Sequence, residues 1–317
     1  AVTTTSGPGL SLKSEAIGLA VMTELPLVIV DVQRGGPSTG LPTKPEQADL
    51  NQALWGRNGE CPLVVMAAST PSNCFHYAFW AGKIAMEHMT PVLLLSDGFI
   101  ANGSEPWRIP SMKEYPKITP PIVTRAPEGG FQPYARDEKR LARMWALPGT
   151  KGVEHRVGGL EKDSLSGAVS HDPENHERMV GLRAAKVARV QDFIPKQEVV
   201  GGRRGELLVV GWGGTYGHLL TAVRELRRIL PGEDIVYFGD TGRVLCHFNF
   251  IHPLPRGVRE IFSRFRRIVV CELNSGQFAG YLRQQFQEFE FLQYNKIQGL
   301  PFTVTELRDE FARLLKS

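Results

Sequence analysis

The stretch Leu27-Val28-Ile29-Val30-Asp31-Val32, followed at once by Gln33-Arg34-Gly35-Gly36-Pro37-Ser38-Thr39-Gly40, constrains the fold most. An apolar run without polar alternation reads as a strand covered on both faces, the kind found in parallel sheets. Gly-Gly-Pro cannot continue a ladder and must turn. In open parallel sheets, ligands sit beyond the carboxyl ends of the strands. Arg34 is the first long cation after this strand, and its guanidinium fork suits a carboxylate or phosphate. From this stretch alone, a solvated loop arginine reads equally well.

The flanking sequence repeats the same alternation. Residues 3–9 read as a strand end and a glycine loop. A helix is expected over 11–24, with Leu12, Ala16, Leu19, Ala20 and Thr23 at helical spacing and Pro26 ending it. A strand over 62–67, a helix from Pro71 to about His88 and a strand over 91–96 ending in Asp97-Gly98 follow. Strand and helix alternating at short spacing predict an α/β fold with a doubly wound, mostly parallel sheet.

Between about 106 and 175 the periodicity fades, broken by Pro110, Pro116, Pro120, Pro121, Pro127, Pro133 and Pro148. A long irregular segment in a compact protein usually serves function or an interface. Asp172-Pro173 then opens a basic amphipathic helix over 175–190, whose Arg178, Arg183, Lys186 and Arg189 read as a solvated face. Residues 195–204, with Gly201-Gly202, form the best linker. The alternation restarts with a strand over 206–211, a turn at Gly213-Gly214-Thr215 and a helix over 216–230. Strands over 235–238 and 268–273, a helix over 277–289 and a last helix opened by the capping sequence Thr303-Val304-Thr305-Glu306 complete the pattern. The division expected is 1–199, including the irregular arm, and 200–317.

Several chemistries find little support. The net charge of +4 is spread along the chain without a basic block, which argues against a nucleic-acid tail. Cys61, Cys74, Cys246 and Cys271 stand far apart with no C-x-x-C, so they read as thiols in a reducing cytoplasm. No apolar run approaches the roughly 20 residues that span a bilayer. The histidines show no metal spacing, and no Ser/His/Asp order is arguable. Gly211-Trp212-Gly213-Gly214-Thr215-Tyr216-Gly217 has its last glycine one place late for a dinucleotide loop and reads as a tight turn. His252-Pro253-Leu254-Pro255 reads as a rigid turn whose histidine could still face a cleft. The chain opens at Ala1 inside what looks like a strand, which suggests a longer protein missing its N-terminal part.

Thr4-Thr5-Ser6-Gly7-Pro8-Gly9, a glycine loop between strand and helix, resembles the pyrimidine-binding domain of thiamine diphosphate enzymes. Gln33 to Thr43 with Gln47-Ala48-Asp49-Leu50, Ser96-Asp97-Gly98-Phe99, Phe250-Ile251-His252-Pro253-Leu254-Pro255 and Glu272-Leu273-Asn274-Ser275-Gly276-Gln277 resemble 2-oxoacid:ferredoxin oxidoreductase alpha subunits. Gly158-Gly159-Leu160-Glu161-Lys162 and Ser170-His171-Asp172-Pro173-Glu174-Asn175-His176 resemble their 2-oxoglutarate branch. The resemblance covers essentially the whole chain.

It implies a pyrimidine-binding domain joined to a transketolase-C-terminal-like domain. It also implies a beta subunit holding the diphosphate, Mg²⁺ and a [4Fe–4S] cluster, within an (alpha-beta)₂ assembly. The implied activity is CoA-dependent oxidative decarboxylation of 2-oxoglutarate to succinyl-CoA, with electrons passed to ferredoxin, in the cytoplasm. The family's cofactor-activating glutamate would precede Ala1, so no catalytic residue is expected within these residues. Arg34 matches the arginine that contacts the 2-oxo acid, with Ser38 and Thr39 on the same loop. Thr5, Ser6, Gly7 and Pro8 are expected at the cofactor. Lys44, Arg57 and Arg108 are candidates for the distal carboxylate by sequence proximity alone. The rivals are a sister enzyme using pyruvate or a branched or aromatic 2-oxo acid, a non-catalytic assembly subunit and, more distantly, a nicotinamide oxidoreductase.

Overall fold

A computed structural model describes residues 1–202, 204–229 and 244–316. The chain begins with strand β1 (Val2–Thr5), helices α1 (Gly7–Leu12) and α2 (Ser14–Thr23), and strand β2 (Leu27–Gln33). It continues through α3 (Leu50–Trp55), β3 (Val64–Ala67), α4 (Asn73–His88), β4 (Pro91–Asp97) and α5 (Gly98–Asn102). The first sheet runs β1-β2-β4-β3, all parallel. Both faces of β2 are covered. Val28 packs with Val64, Ile84 and Val187 on one side, and Ile29 with Leu10, Leu50 and Ala53 on the other. That is why its sequence shows no alternation.

The helix expected over 11–24 is two helices parted at Lys13. The glycine loop is itself the first turn of α1, where Pro8 is tolerated because that turn's N–H has no intrahelical partner. Helix α2 stops on Glu24 in the left-handed conformation (φ 51°), ahead of Pro26.

The arm expected to be irregular carries only the short strands β5 (Ile122–Val123) and β6 (Trp145–Ala146) and one 3₁₀ turn (Met112–Glu114) among its described elements. It is held down by charge. α6 (Pro173–Arg189), capped by Asp172 through the Glu174 N–H at 3.1 Å, presents Lys186 to Glu24, which also pairs with Arg136 of the arm. Arg143 donates to the Glu24 carbonyl at 3.2 Å, and Lys162 Nζ to the Met22 carbonyl at 2.9 Å. Burial disfavours the Glu24 carboxylate, but Lys186, Arg136 and Arg143 outweigh it and hold the group below the usual carboxylate range. Arg183 and His176 likewise converge on Glu161. The expectation of a solvated basic face on α6 is therefore corrected. Arg183 is 4% and Lys186 2% exposed, and both are inward ion-pair partners, while Arg178 lies outside.

The second sheet is built from β7 (Val200–Gly201), β8 (Gly205–Trp212) and, after α7 (Tyr216–Ile229), β9 (Val244–Phe248). The expected strand over 235–238 lies outside the described residues. β10 (Phe250–His252) then leaves this sheet and pairs antiparallel with β3, so a strand not expected from the sequence, ending on the first residue of the expected His252–Pro255 turn, closes the edge of the first sheet. α8 (Val258–Phe262), β11 (Phe265–Glu272), α9 (Gln277–Gln285), β12 (Phe291–Asn295) and α10 (Val304–Lys316) complete the order β12-β11-β8-β9-β7. The capping box opens α10: Thr303 N–H donates to Glu306 Oε1 at 2.8 Å, and Glu306 N–H to Thr303 Oγ1 at 3.2 Å.

The two sheets share one core. Leu10, Ile29 and Leu93 pack in the same cluster as Trp212, Phe248 and Phe278. Each such fully buried side chain contributes about 1.5–3 kcal/mol. Polar joints fix the alignment. Gln47 donates to the Trp212 carbonyl at 2.7 Å and accepts from the Leu273 N–H at 2.9 Å, and Asp97 accepts from the Gly214 N–H at 3.2 Å. Among the described residues, no helix is long and apolar enough to cross a membrane.

Candidate active-site cleft

β1 and β2 lie side by side in register, Thr5 opposite Asp31, so β1 releases its chain two residues before β2 ends at Gln33, on the same edge of the sheet. β1 hands over to the N-terminus of α1, and β2 to the Arg34 loop. Between them opens a cleft of about 610 Å³ lined by Gly7, Pro8, Ser11, Arg34, Ser38, Glu46, Asp49 and, from the second sheet, Asn274, Ser275 and Gln277. The structure thus brings Arg34, Ser38, Gly7 and Pro8 to one wall-lined space. Thr5, Ser6 and Thr39 stand beside it without lining it. Thr5 Oγ1 instead donates to the Ser6 carbonyl at 3.3 Å, and Ser6 occupies the N-cap of α1.

Arg34 is half-buried, and its Nε is buried with no hydrogen-bond partner. Its loop is fixed from behind: Gly35 N–H donates to the Lys44 carbonyl at 3.0 Å, and Leu41 N–H to the Gly35 carbonyl at 2.9 Å. Ser38 adopts φ 55°, and a side chain on Gly40 (φ 54°) would strike the Gly35 carbonyl at 2.0 Å. Only glycine closes this loop. Gly7 is equally constrained, because a Cβ there would lie 2.6 Å from Asp49 Oδ1. The start of α1 therefore lies close against Asp49, and Gly7 and Pro8 line the cleft.

The three distal-cation candidates separate. Arg57 spends its N–H groups on the carbonyls of Gln52, Ala53, Leu54 and Cys61, closing the end of α3, so it is not available to a ligand. Lys44 and Arg108 are exposed and do not line the cleft. His252 faces a smaller cavity of about 170 Å³ with Trp55, Arg57 and Cys61, and its Nδ1 lies 2.9 Å from the Tyr281 hydroxyl. Burial, with Arg57 nearby, lowers it to about 4.

Sequence reasoning passed over two residues, Asp49 on the wall of the cleft and Asp31 behind it. Asp31 is fully buried, and Asp49 lies beside it. The available signals were an acid inside an apolar strand and an N-cap aspartate; only the fold brings them together. Glu272, the other fully buried acid near the cleft, accepts from the N–H groups of Phe278 and Ala279, Trp212 Nε1 and Asn274 Nδ2, and so anchors α9. Among the described residues, no group of three or more His, Cys, Asp or Glu is placed to hold a metal ion.

A cleft at the carboxyl edge of a parallel sheet, lined by backbone and by a guanidinium without a hydrogen-bond partner among the described residues, lies where open α/β folds bind their ligands. Residues 1–171 match the family described as pyruvate flavodoxin/ferredoxin oxidoreductase, thiamine diphosphate-binding, and the chain belongs to it. It is 48% identical, over all 317 residues, to the 2-oxoglutarate oxidoreductase subunit KorA of Mycobacterium tuberculosis, of which it spans 46%. It is 33% identical over 277 residues to the 2-oxoglutarate synthase subunit KorA of Methanothermobacter marburgensis, covering 87% of this chain and 70% of that one. A solved 2-oxoglutarate:ferredoxin oxidoreductase from Magnetococcus marinus, with 2-oxoglutarate, coenzyme A and succinyl-CoA bound, superposes with a TM-score of 0.86 at 32% identity. That match covers 99% of this chain and 53% of that one. The chain thus spans about half the length of two of these relatives, and the family resemblance read from its motifs is shown.

Proposed function

We propose that this chain supplies the pyrimidine-side and substrate-facing surfaces of a 2-oxoglutarate:ferredoxin oxidoreductase. The reaction converts 2-oxoglutarate, coenzyme A and two oxidised ferredoxins into succinyl-CoA, CO₂, a proton and two reduced ferredoxins, and it is reversible. A beta subunit in an (alpha-beta)₂ cytoplasmic assembly is assigned the diphosphate, Mg²⁺ and [4Fe–4S] sites. Residues 1–199 form the pyrimidine-binding unit and 200–317 the transketolase-C-terminal-like unit, with β10 returned to the first sheet. When bound, thiamine diphosphate supplies the nucleophilic carbon and the electron sink for decarboxylation.

The observation that carries this reading is the Arg34 guanidinium, with its buried Nε unpartnered, at the carboxyl tip of β2 opposite the backbone of Gly7 and Pro8. Arg34 binds the substrate through a carboxylate or the 2-oxo oxygen and orients it. It is not assigned the lowering of the decarboxylation barrier, because the C1 charge disperses as CO₂ leaves and a clamp on it favours the ground state. Ser38 donates a hydroxyl to the same ligand, and the α1 backbone holds the ring side of the cofactor. Closing the cleft excludes water from the reacting atoms.

Steady-state assays of the full-length complex, with viologen dye, coenzyme A and a panel of 2-oxo acids, test the proposal. Preference for 2-oxoglutarate supports it. Preference for pyruvate or a branched or aromatic acid moves the chain to a sister enzyme. Kinetics indifferent to Arg34→Ala, with weakened association, make it an assembly subunit.

A further inference from the structure

Asp49 occupies the N-cap of α3 without capping it: its side chain accepts none of the helix N–H groups. The carboxyl is turned away, against Gly7 and towards Asp31. Gln33 holds it there, accepting from the Asp49 N–H at 3.1 Å while donating to the Ser96 carbonyl at 3.1 Å. Asp31 shares the face of β2 that carries Ile29 and Gln33, is 0% exposed, and finds no donor for either oxygen. Asp49 Oδ2 is likewise buried without a donor, and two neighbouring buried carboxyl groups that lack donors are satisfied when one proton lies between them.

We propose that Asp31, behind the cleft, and Asp49, on its wall, share one proton, and that this proton keeps Arg34 free for an anionic ligand. When it leaves, Asp49 becomes a full carboxylate beside Arg34 and competes for the guanidinium with the ligand's own carboxylate. Asp49 and Asp31 are thereby positioning residues acting through Arg34. The inference rests on the reading of the cleft as a 2-oxo acid site.

The surroundings agree. Burial, and then Asp49 beside it, raise Asp31 to about 8. Burial also raises Asp49, with Arg34 opposing and Glu46 adding to the shift. Among the described residues, Arg34 and Glu46 are the charged groups facing the pair. α1, α3 and the 274–277 turn bring no titratable side chain, and Asp97 is engaged by the N–H groups of Phe99, Ile100 and Gly214. With the shared proton, the charges of the pair, Arg34 and Glu46 sum to −1; without it they sum to −2.

The test uses the full-length complex and two readouts. In infrared difference spectra, the native complex shows a protonated-carboxyl C=O band at pH 7 that fades towards pH 9.5 and is missing in Asp31→Asn. In kinetics, KM for the 2-oxo acid rises about tenfold across the same range at steady kcat, the size expected of one added unit charge in a partly solvated site. That step is absent in Asp31→Asn. The same band in Asp31→Asn, or a KM step of equal size, overturns the proposal. If Asp31→Asn does not assemble, Asp49→Asn gives the same two readouts. If no 2-oxo acid is turned over, the functional reading fails, while the band alone still decides whether the proton is shared.

Discussion

Arg34→Ala separates a ligand-binding arginine from a loop arginine, and the structure sets the size of the effect. The Arg34 side chain makes no hydrogen bond within the described residues, and its Nε is buried. Its removal therefore breaks no internal hydrogen bond, and stability changes by no more than about 1 kcal/mol. A substrate carboxylate would be the group's first hydrogen-bonding partner. Charge-assisted bonds contribute about 1.5–3 kcal/mol each, whereas an exposed ion pair contributes about 0–1. A half-buried fork making two imperfect bonds falls near 3 kcal/mol, equivalent to about 150-fold in kcat/KM. The loss appears chiefly in KM, because the contact exists before CO₂ departs. Arg34→Lys keeps the charge without the planar fork and recovers about tenfold of the loss. The assay is steady-state dye reduction by the full complex over a range of 2-oxo acid concentrations, with thermal melting as the folding control. An unchanged kcat/KM refutes the assignment.

Lys186→Met leaves Glu24 short of its closest cation in a fully buried site, and urea unfolding should show a loss of about 3–5 kcal/mol. Burial disfavours the Glu161 carboxylate, but Arg183, His176 and the Lys162 N–H hold it down at about 2. Its share of stability is thus present above the unfolded value near 4.3 and drains as pH falls towards 2. Glu161→Gln should flatten the melting-temperature slope in that window, and an identical slope contradicts the pairing. Gly7→Ala puts a methyl group 2.6 Å from Asp49 Oδ1 and forces that carboxyl to move, so urea titration should show a loss of about 1–3 kcal/mol and KM for the 2-oxo acid should rise. Gln47→Leu leaves the Leu273 N–H without its acceptor in the joint between the sheets, while the Trp212 carbonyl keeps the Thr215 hydroxyl, and should cost about 1–3 kcal/mol by urea titration.

What was legible in the sequence was local. The apolar run of β2, its break at Gly35-Gly36-Pro37, the Asp172 cap and the Thr303/Glu306 box each depend on a few adjacent residues. The structure reproduces them because no distant contact competes. What escaped was set at a distance. Lys186 and Arg183 look solvated because helical periodicity counts charge as outward, and their partners Glu24 and Glu161 lie far off in the chain. β10 is too short to carry a period of its own, and its ladder with β3 exists only after the second sheet has folded back. The break at Lys13 was hidden because Leu12 fits the helical spacing yet is 83% exposed. Thr5, Ser6 and Thr39 belong to the right turns, but a motif does not say which atoms of a turn face inward.

The same distinction explains why the cleft is built across both sheets. Gly7 and Arg34 could be set by β1 and β2 alone, yet the segment that follows Arg34 is pinned elsewhere. Gln47 is bonded to Trp212 and Leu273, Asn274 donates to the Gln47 carbonyl at 2.8 Å, and Gln277 to the Ala48 carbonyl at 2.9 Å. Asp49 follows directly, so its carboxyl is carried to Asp31 by a strap whose ends belong to different sheets. A displacement of β11 or α9 is thereby transmitted to Asp49 through short, buried or part-buried hydrogen bonds rather than through a flexible loop. Exchanging those amides for apolar groups would keep the core volume but loosen the strap, and with it the carboxyl pair that faces Arg34. In this chain the Arg34 guanidinium is placed by the first sheet, and the Asp49 carboxyl beside it through the second.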